Sequence, residues 1–131
     1  MRVYLSIDIE DETRKALADY MTVYCRPLPE NFITPSVLVE QMGGTTSNGI
    51  DTFVIRLSAR AATDAEALET IKKAIAVLEA RTQQQYGKLR FSITNSLATW
   101  GADPVRPDLK LCTATVQALA HKEPLTIPEK S

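Results

Sequence analysis

The chain has 131 residues, 44% of them hydrophobic and 24% charged, with a formal net charge of −1 at pH 7. This length predicts one domain with a sizeable core. The near-neutral charge argues against general nucleic-acid binding, which depends on a basic surface, and no apolar run approaches the length that spans a membrane.

The first predicted elements are a short arm and a helix. Residues 1–7 form a weakly alternating apolar stretch that ends at acidic residues too early for a signal peptide. Asp8 is in position to cap a helix over residues 9–24. Its apolar stripe consists of Ile9, Thr13, Ala16, Leu17, Tyr20, Met21 and Tyr24.

Acidic residues occupy the first turn of this helix, where negative charge favours the helix dipole. A metal site built on Asp8, Glu10 and Asp11 is the alternative interpretation. Nothing else in the sequence is placed to complete its coordination sphere. Helix chemistry therefore explains the acidic cluster.

A proline-containing linker over 25–35 leads into a predicted hairpin. Residues 36–42 and 50–60 read as strands, and the second of them has the period of two that a half-buried strand requires. The three glycines between them fit neither a P-loop nor a dinucleotide-binding loop, and no lysine follows. We therefore expect residues 43–49 to form a mobile hairpin tip.

The second half of the chain predicts a helix and two strands. Thr63 and Glu66 form a capping box at the start of a helix over 64–81, which is expected to pack through Leu68, Ile71, Ile75 and Leu78. Strands are predicted at 88–95 and 109–119, and Cys112, Ala114, Val116 and Ala118 share one face of the second. An irregular loop over 95–108 separates them, and residues 121–131 are expected to be a flexible tail.

The order helix, strand, strand, helix, strand, strand predicts an α+β fold. In this fold a mostly antiparallel four-stranded sheet carries helices on one face. Residues 1–120 are expected to form a single domain, with 1–8 as an N-terminal arm.

Few residues in the sequence suit catalysis. Cys25 and Cys112 are far apart and are expected to be reduced thiols, and the sole histidine, His121, lies in the predicted tail. Asp103 and Asp108 could form a carboxylate pair, but Asp beside Pro is ordinary turn chemistry. We therefore predict no catalytic, cofactor-binding or metal-binding residues and no enzymatic activity.

Four segments carry a resemblance to a known family. They are a strand ending in Gly-Gly (35–44), a strand with a small polar end (53–60), an Ala/Glu-rich helix start (64–69), and a late strand preceded by a turn with Asp and Pro (112–117). In this order they resemble the tail terminator or tail-completion proteins of siphophages, a family that includes their small minor tail proteins. The resemblance covers residues 28–120. Residues 1–7 depart from it, because family members usually begin close to the first helix.

The resemblance implies a structural function. Such proteins form hexameric rings on the head-proximal end of the tail tube, stop tube polymerisation and present a surface for head joining. The implied partners are further copies of the chain, the tail tube protein and a head-completion or connector protein, without cofactor, membrane or specific nucleic acid. The implied location is the host bacterial cytoplasm during assembly and then the virion tail.

The candidate interaction residues are Gly43, Gly44, Asn48, Arg56, Trp100, Asp103 and Arg106. A polar sheet face around Arg56 and Thr113 suits either a ring interface or simple solvation, and a loop tryptophan suits either packing or a partner. Two other functions stay open. One is a different small head–tail connector or adaptor module of the same build without enzymatic activity, and the other is an enzyme.

Overall fold

A computed structural model describes residues 1–83, 89–92, 98–104 and 106–130. Over these residues the chain is a mixed α/β protein with two helices, one large sheet and one small sheet. The elements in order are β1 (Arg2–Leu5), α1 (Ile9–Leu17), β2 (Val23–Cys25), β3 (Ser36–Ser47), β4 (Ile50–Ala61), α2 (Asp64–Gln83), β5 (Arg90–Ser92), β6 (Thr99–Ala102), β7 (Lys110–His121) and β8 (Glu123–Thr126).

The large sheet has six strands in the order β2-β3-β4-β7-β5, with β6 also paired to β7. Among the strand pairs of the described residues only β2–β3 is parallel, so the predicted mostly antiparallel sheet is confirmed. The predicted number of four strands is wrong. The sequence prediction missed β2 and β6, which are three and four residues long and lie in stretches that read as helix and loop.

The hairpin differs in extent from the prediction. β3 and β4 are 12 residues each, and only Asn48 and Gly49 turn between them. Their φ angles of 54° and 76° are typical of the Asn-Gly turn that matches strand twist. The predicted tip at 43–49 is therefore mostly strand, with a register shift between Gln41 and Gly43.

The core lies between the helices and one face of the sheet. Alternate residues of β4 and β7 are buried there, and Ile55 and Leu57 lie opposite Val116 and Ala114. Helix α2 begins after Thr63, whose hydroxyl accepts the Glu66 N–H at 3.2 Å. As predicted, Ile71 and Leu78 are fully buried, and Leu68 and Ile75 pack partly buried against the same core.

Helix α1 is shorter than predicted, because it ends at Leu17 and not at residue 24. After a turn, β-branched and aromatic residues at Val23 and Tyr24 favour a strand, which pairs with β3. The apolar stripe of the helix thus continues into an extended segment. The spacing of the apolar residues alone did not show where helix α1 ends and strand β2 begins.

The two ends of the chain pair with each other. β1 and β8 form an antiparallel two-stranded ribbon, and β7 extends to His121. The segment predicted to be a flexible tail thus contributes to two strands, and the predicted arm provides the ribbon's other strand. In the predicted loop at 95–108, the described residues include β6. Of the predicted strand at 88–95, residues 90–92 form β5, and residues 88 and 93–95 lie outside the described part.

No helix in the described ranges combines the length and apolar character needed to cross a membrane.

Candidate assembly surface

The outer edge of β3 is open past Val39. β2 covers this strand only at residues 37–39, and past Val39 no other described strand pairs with that side. Residues 41–47 are all exposed. We call residues 41–47 the β3 outer edge.

The turn determines which main-chain groups of this edge point outward. A two-residue turn makes Ser47 and Ile50 the closing hydrogen-bonded pair, and alternate residues then bond to β4. The N–H and C=O groups of Gly44 and Thr46 consequently point away from β4. They form a short row of donors and acceptors at the edge of the sheet.

Side chains cap this edge at its inner end. Glu10 Oε2 accepts the Gln41 N–H at 2.9 Å, and Arg26 Nη2 donates to Gln41 O at 3.2 Å. Glu10 and Arg26 also form an ion pair. Burial raises the pKa of Glu10, but the hydrogen bonds from Arg26 and Gln41 outweigh it and hold that pKa below its ordinary value. Glu10 and Arg26 thus bind the outward N–H and C=O of Gln41, as a further residue of β2 would do.

A second polar cluster closes the outer end. Asp51 is only 3% exposed, accepts the Thr46 hydroxyl and lies 3.2 Å from Lys122 Nζ. Lys122 also donates to Ser6 Oγ at 3.0 Å. Burial raises the pKa of Asp51, but hydrogen bonds from the Thr46 and Ser6 hydroxyls and the Lys122 ammonium outweigh it and hold that pKa below its ordinary value.

Ser6 and Lys122 resemble a serine–lysine catalytic pair in composition. Such a pair needs a neutral amine to take the hydroxyl proton. Lys122 Nζ instead lies 3.2 Å from the Asp51 carboxylate, with which it forms an ion pair. The cluster therefore joins the terminal ribbon to the hairpin and is poorly suited to activate a nucleophile.

A cleft of about 330 Å³ lies between the two clusters. Its lining residues are Ser6, Gln41, Gly43, Gly44, Thr45, Thr46, Asp51, Thr52 and Phe53. At Gly44 a side chain would approach the Thr52 carbonyl oxygen far inside van der Waals distance, so glycine keeps the chain path open there. The β3 outer edge therefore presents outward main-chain donors and acceptors beside this cleft. An extended segment of another chain adds to a sheet through main-chain groups of this kind, and a neighbouring pocket holds its side chains.

The structure brings three of the predicted interaction residues together. Gly43 and Gly44 belong to the β3 outer edge, and Asn48 forms the adjoining turn. Arg56 lies on the sheet face opposite the helices, where its Nη2 contacts Glu40 Oε1 at 3.0 Å. Trp100 lies on β6 and is 51% exposed.

Asp103 and Arg106 belong to a different cluster. Asp103 is 2% exposed, and its Oδ2 accepts Arg60 Nε at 2.7 Å. Arg106 contacts Asp108 at 3.0 Å and lies 5.8 Å from the centre of the Phe32 ring. Since each aspartate binds an arginine, these contacts support a structural role for Asp103 and Asp108, as the turn interpretation predicts.

The other polar candidates have partners that explain them. Asp8 accepts the Asp11 N–H at 3.2 Å as a helix cap, and Asp11 contacts Arg14 at 2.8 Å. Within the described ranges no group of three metal-ligating side chains lies together. Cys25 and Cys112 are unpaired thiols whose pKa values are raised by burial.

Sequence reasoning missed Glu10, Arg26, Asp51 and Lys122, the residues that close the two ends of the edge. Glu10 and Gln41 are separated by 31 residues, so their contact leaves no local pattern. Asp51 did carry a signal. It is an acidic residue at an inward position of an otherwise apolar alternation, two residues after an Asn-Gly turn.

No protein-family model matches the chain, and the search of curated proteins finds no match.

Proposed function

We propose that this chain is a structural phage protein that caps the tail tube as a ring, ends tube polymerisation and provides the surface that joins the head. The partners are further copies of the chain, the tube protein and a head-completion protein. Assembly takes place in the host cytoplasm, and the finished ring lies at the head-proximal end of the tail. The resemblance of residues 28–120 to tail terminators motivates the proposal.

The observation that carries the proposal is the β3 outer edge. An exposed strand edge is a template for another chain. Here the outward main-chain groups of Gly44 and Thr46 lie beside a cleft of about 330 Å³. Among the described residues, side chains bind the outward main-chain groups of this edge only at Gln41. The remaining part suits strand addition by a neighbouring subunit or by the tube.

The first test is a phage that lacks the gene. Tails of uncontrolled length support tube capping, whereas tails of normal length that fail to join heads support the alternative of a head–tail connector. Normal infectious particles from the deletion would end both interpretations.

A sharper test changes one main-chain donor. Thr46→Pro removes the outward N–H and the hydroxyl that contacts Asp51, whereas Thr46→Val removes only the hydroxyl. We expect the valine variant to cap purified tubes and the proline variant to lose capping while keeping its fold by circular dichroism. Equal capping by the two variants would exclude strand addition at this edge.

A further inference from the structure

The ribbon formed by β1 and β8 has one apolar face. Opposite residues of an antiparallel pair point to the same side, and Val3 and Leu5 lie opposite Leu125 and Glu123. Two hydrogen bonds of 2.9 and 2.8 Å join Met1 to Ile127 and extend the pairing by one residue. The face consists of Met1, Val3, Leu5, Leu125 and Ile127, with Glu123 as its only charged residue.

Four of the five apolar residues of this face are exposed to solvent, and Val3 is half-buried. Met1 is 77%, Leu5 47%, Leu125 45% and Ile127 40% exposed. In the described part of the chain the ribbon pairs with no third strand. Two-stranded ribbons are marginal in water without a third strand or a packing partner. A contiguous exposed apolar face of this kind is typical of an interaction site.

The same chain has a groove of mixed polarity beside α2, in which apolar side chains lie next to threonines and Lys73. Two adjoining cavities of about 250 and 270 Å³ share Tyr20 and Lys73. Tyr20 is 56% and Ile33 59% exposed, and the Arg81 guanidinium lies 5.3 Å from the centre of the Tyr20 ring. We call this the Tyr20 groove, formed by Tyr20, Met21, Ile33, Lys73, Val77 and Ala80.

Ribbon and groove carry complementary charge. Lys73 lines both cavities of the groove, and Glu123 lies at the base of the ribbon's apolar face. Among the described residues neither side chain takes part in an ion pair. Docking the ribbon in the groove would place its apolar face against the apolar side chains of the groove and give both charges a partner.

A single chain does not bring the two surfaces together. The groove adjoins Pro35, just before β3, whereas the ribbon adjoins Asn48 and Gly49 at the far end of that strand. Twelve strand residues separate these ends by roughly 36 Å. A contact between the two surfaces would therefore join different copies through unlike surfaces, and repeated contacts of that kind close into a ring when the rotation allows it.

We infer that the apolar face of the β1–β8 ribbon docks in the Tyr20 groove of the next copy. The inference deepens the proposed function and rests on it for the closed ring, because it names the contact between neighbouring subunits. Leu5 and Leu125 provide the buried centre of that contact. Glu123 and Lys73 provide its charged border.

Cross-linking tests this geometry directly. The Leu125→Cys/Ile33→Cys protein, with Cys25→Ala to remove a competing thiol, is expected to form a ladder of disulfide-linked multimers that ends at a fixed number of subunits. Thr126→Cys/Ile33→Cys is the matched control, since Thr126 lies on the other face of the ribbon. Equal cross-linking by both proteins, or none by either, would overturn the inference.

The oligomeric state in solution tests the apolar centre of the contact and the pairing of Lys73 with Glu123. Leu125→Asp is expected to give monomers by light scattering with an unchanged circular dichroism spectrum, whereas Thr126→Asp keeps the wild-type oligomer. Lys73→Glu is expected to weaken assembly at least tenfold, and adding Glu123→Lys to restore it. A wild-type protein that is monomeric both free and on tubes, or oligomers that survive Leu125→Asp, would contradict the inference.

The outcomes separate the contact from the function. Multimers that cross-link as expected but leave tube length unchanged would support the contact and remove the proposed function. Rings that still cap tubes with Leu125→Asp would support the function and remove the contact.

Discussion

Glu10 Oε2 accepts the main-chain N–H of Gln41 at 2.9 Å, across 31 residues of sequence. The contact lies where β2 stops covering β3, so a helix side chain occupies the place of the next strand residue. Arg26 completes the arrangement by donating to Gln41 O. Within the described ranges, the part of the edge that has free main-chain groups therefore begins after Gln41.

Replacing Glu10 with alanine should destabilise the fold by about 1–3 kcal/mol. The change removes the charged acceptor of the Gln41 N–H and the Arg26 guanidinium, and hydrogen bonds to a charged group contribute about 1.5–3 kcal/mol. Urea denaturation at neutral pH measures it. Glu12→Ala is the control, because Glu12 makes only a surface contact with Lys15, and it should change stability by less than about 1 kcal/mol.

The Glu10 contact should also depend on pH. The pKa of Glu10 is lowered from its ordinary value of 4.5, so its stabilising effect is complete above pH 4.5 and disappears as the pH falls through the folded value. Glu10→Gln should therefore flatten the acid limb of the stability curve relative to the wild type. An unchanged acid limb in this variant would mean that the carboxylate is not stabilised as described.

Removing one partner of the Arg60–Asp103 ion pair should be strongly destabilising. Their side chains are 11% and 2% exposed, and a buried charge that loses its partner costs about 3–5 kcal/mol. Asp103→Ala is therefore expected to lower the urea midpoint far more than Asp108→Ala, whose side chain is 65% exposed. The double variant Arg60→Leu/Asp103→Leu should recover much of the loss, and similar losses for Asp103→Ala and Asp108→Ala would contradict a buried pair.

Gly44→Ala should lower the thermal midpoint substantially, because a Cβ there collides with the Thr52 carbonyl and the φ angle of +150° strains any side chain. Gly101→Ala is the matched control on another strand, since nothing lies within 4 Å of the added Cβ. Differential scanning calorimetry distinguishes the two. If the Gly44→Ala protein is as stable as the Gly101→Ala protein, the β3 backbone at Gly44 does not approach the Thr52 carbonyl this closely.

Ile71→Asp should unfold the domain. Ile71 is fully buried between α2 and the sheet, and a carboxylate there would lie in an apolar environment without a partner. Lys72→Asp, one residue along on the exposed side, should keep the native circular dichroism spectrum. A melting temperature for Ile71→Asp within one or two degrees of wild type would mean that the core is assigned wrongly.

The regular parts of the fold could be predicted from the sequence, because their patterns are local. The alternation through Phe53, Ile55 and Leu57 and the capping residue Thr63 identified β4 and α2. Short strands could not be predicted in the same way. Val23–Cys25 is stabilised by pairing with residues 37–39, so its three residues carry no period of their own.

The candidate surface was predictable only in part, for the same reason. The glycines at 43 and 44 and the Asn-Gly pair indicated a turn region, which gave one side of the cleft. The residues that close its ends, Glu10 and Lys122, are held by tertiary contacts with Gln41 and Asp51. Such contacts become visible only when the chain ends and the hairpin are placed together.

The bonds between Met1 and Ile127 make the chain nearly a closed loop in space. A circular permutant that links residues 127 and 1 and opens within the exposed stretch at 30–31 should therefore keep every strand pairing. In the native order, a purification tag at either end would emerge beside the apolar face of the ribbon and obstruct it. The position of a tag, more than its chemistry, would then decide which assembly state is seen in solution.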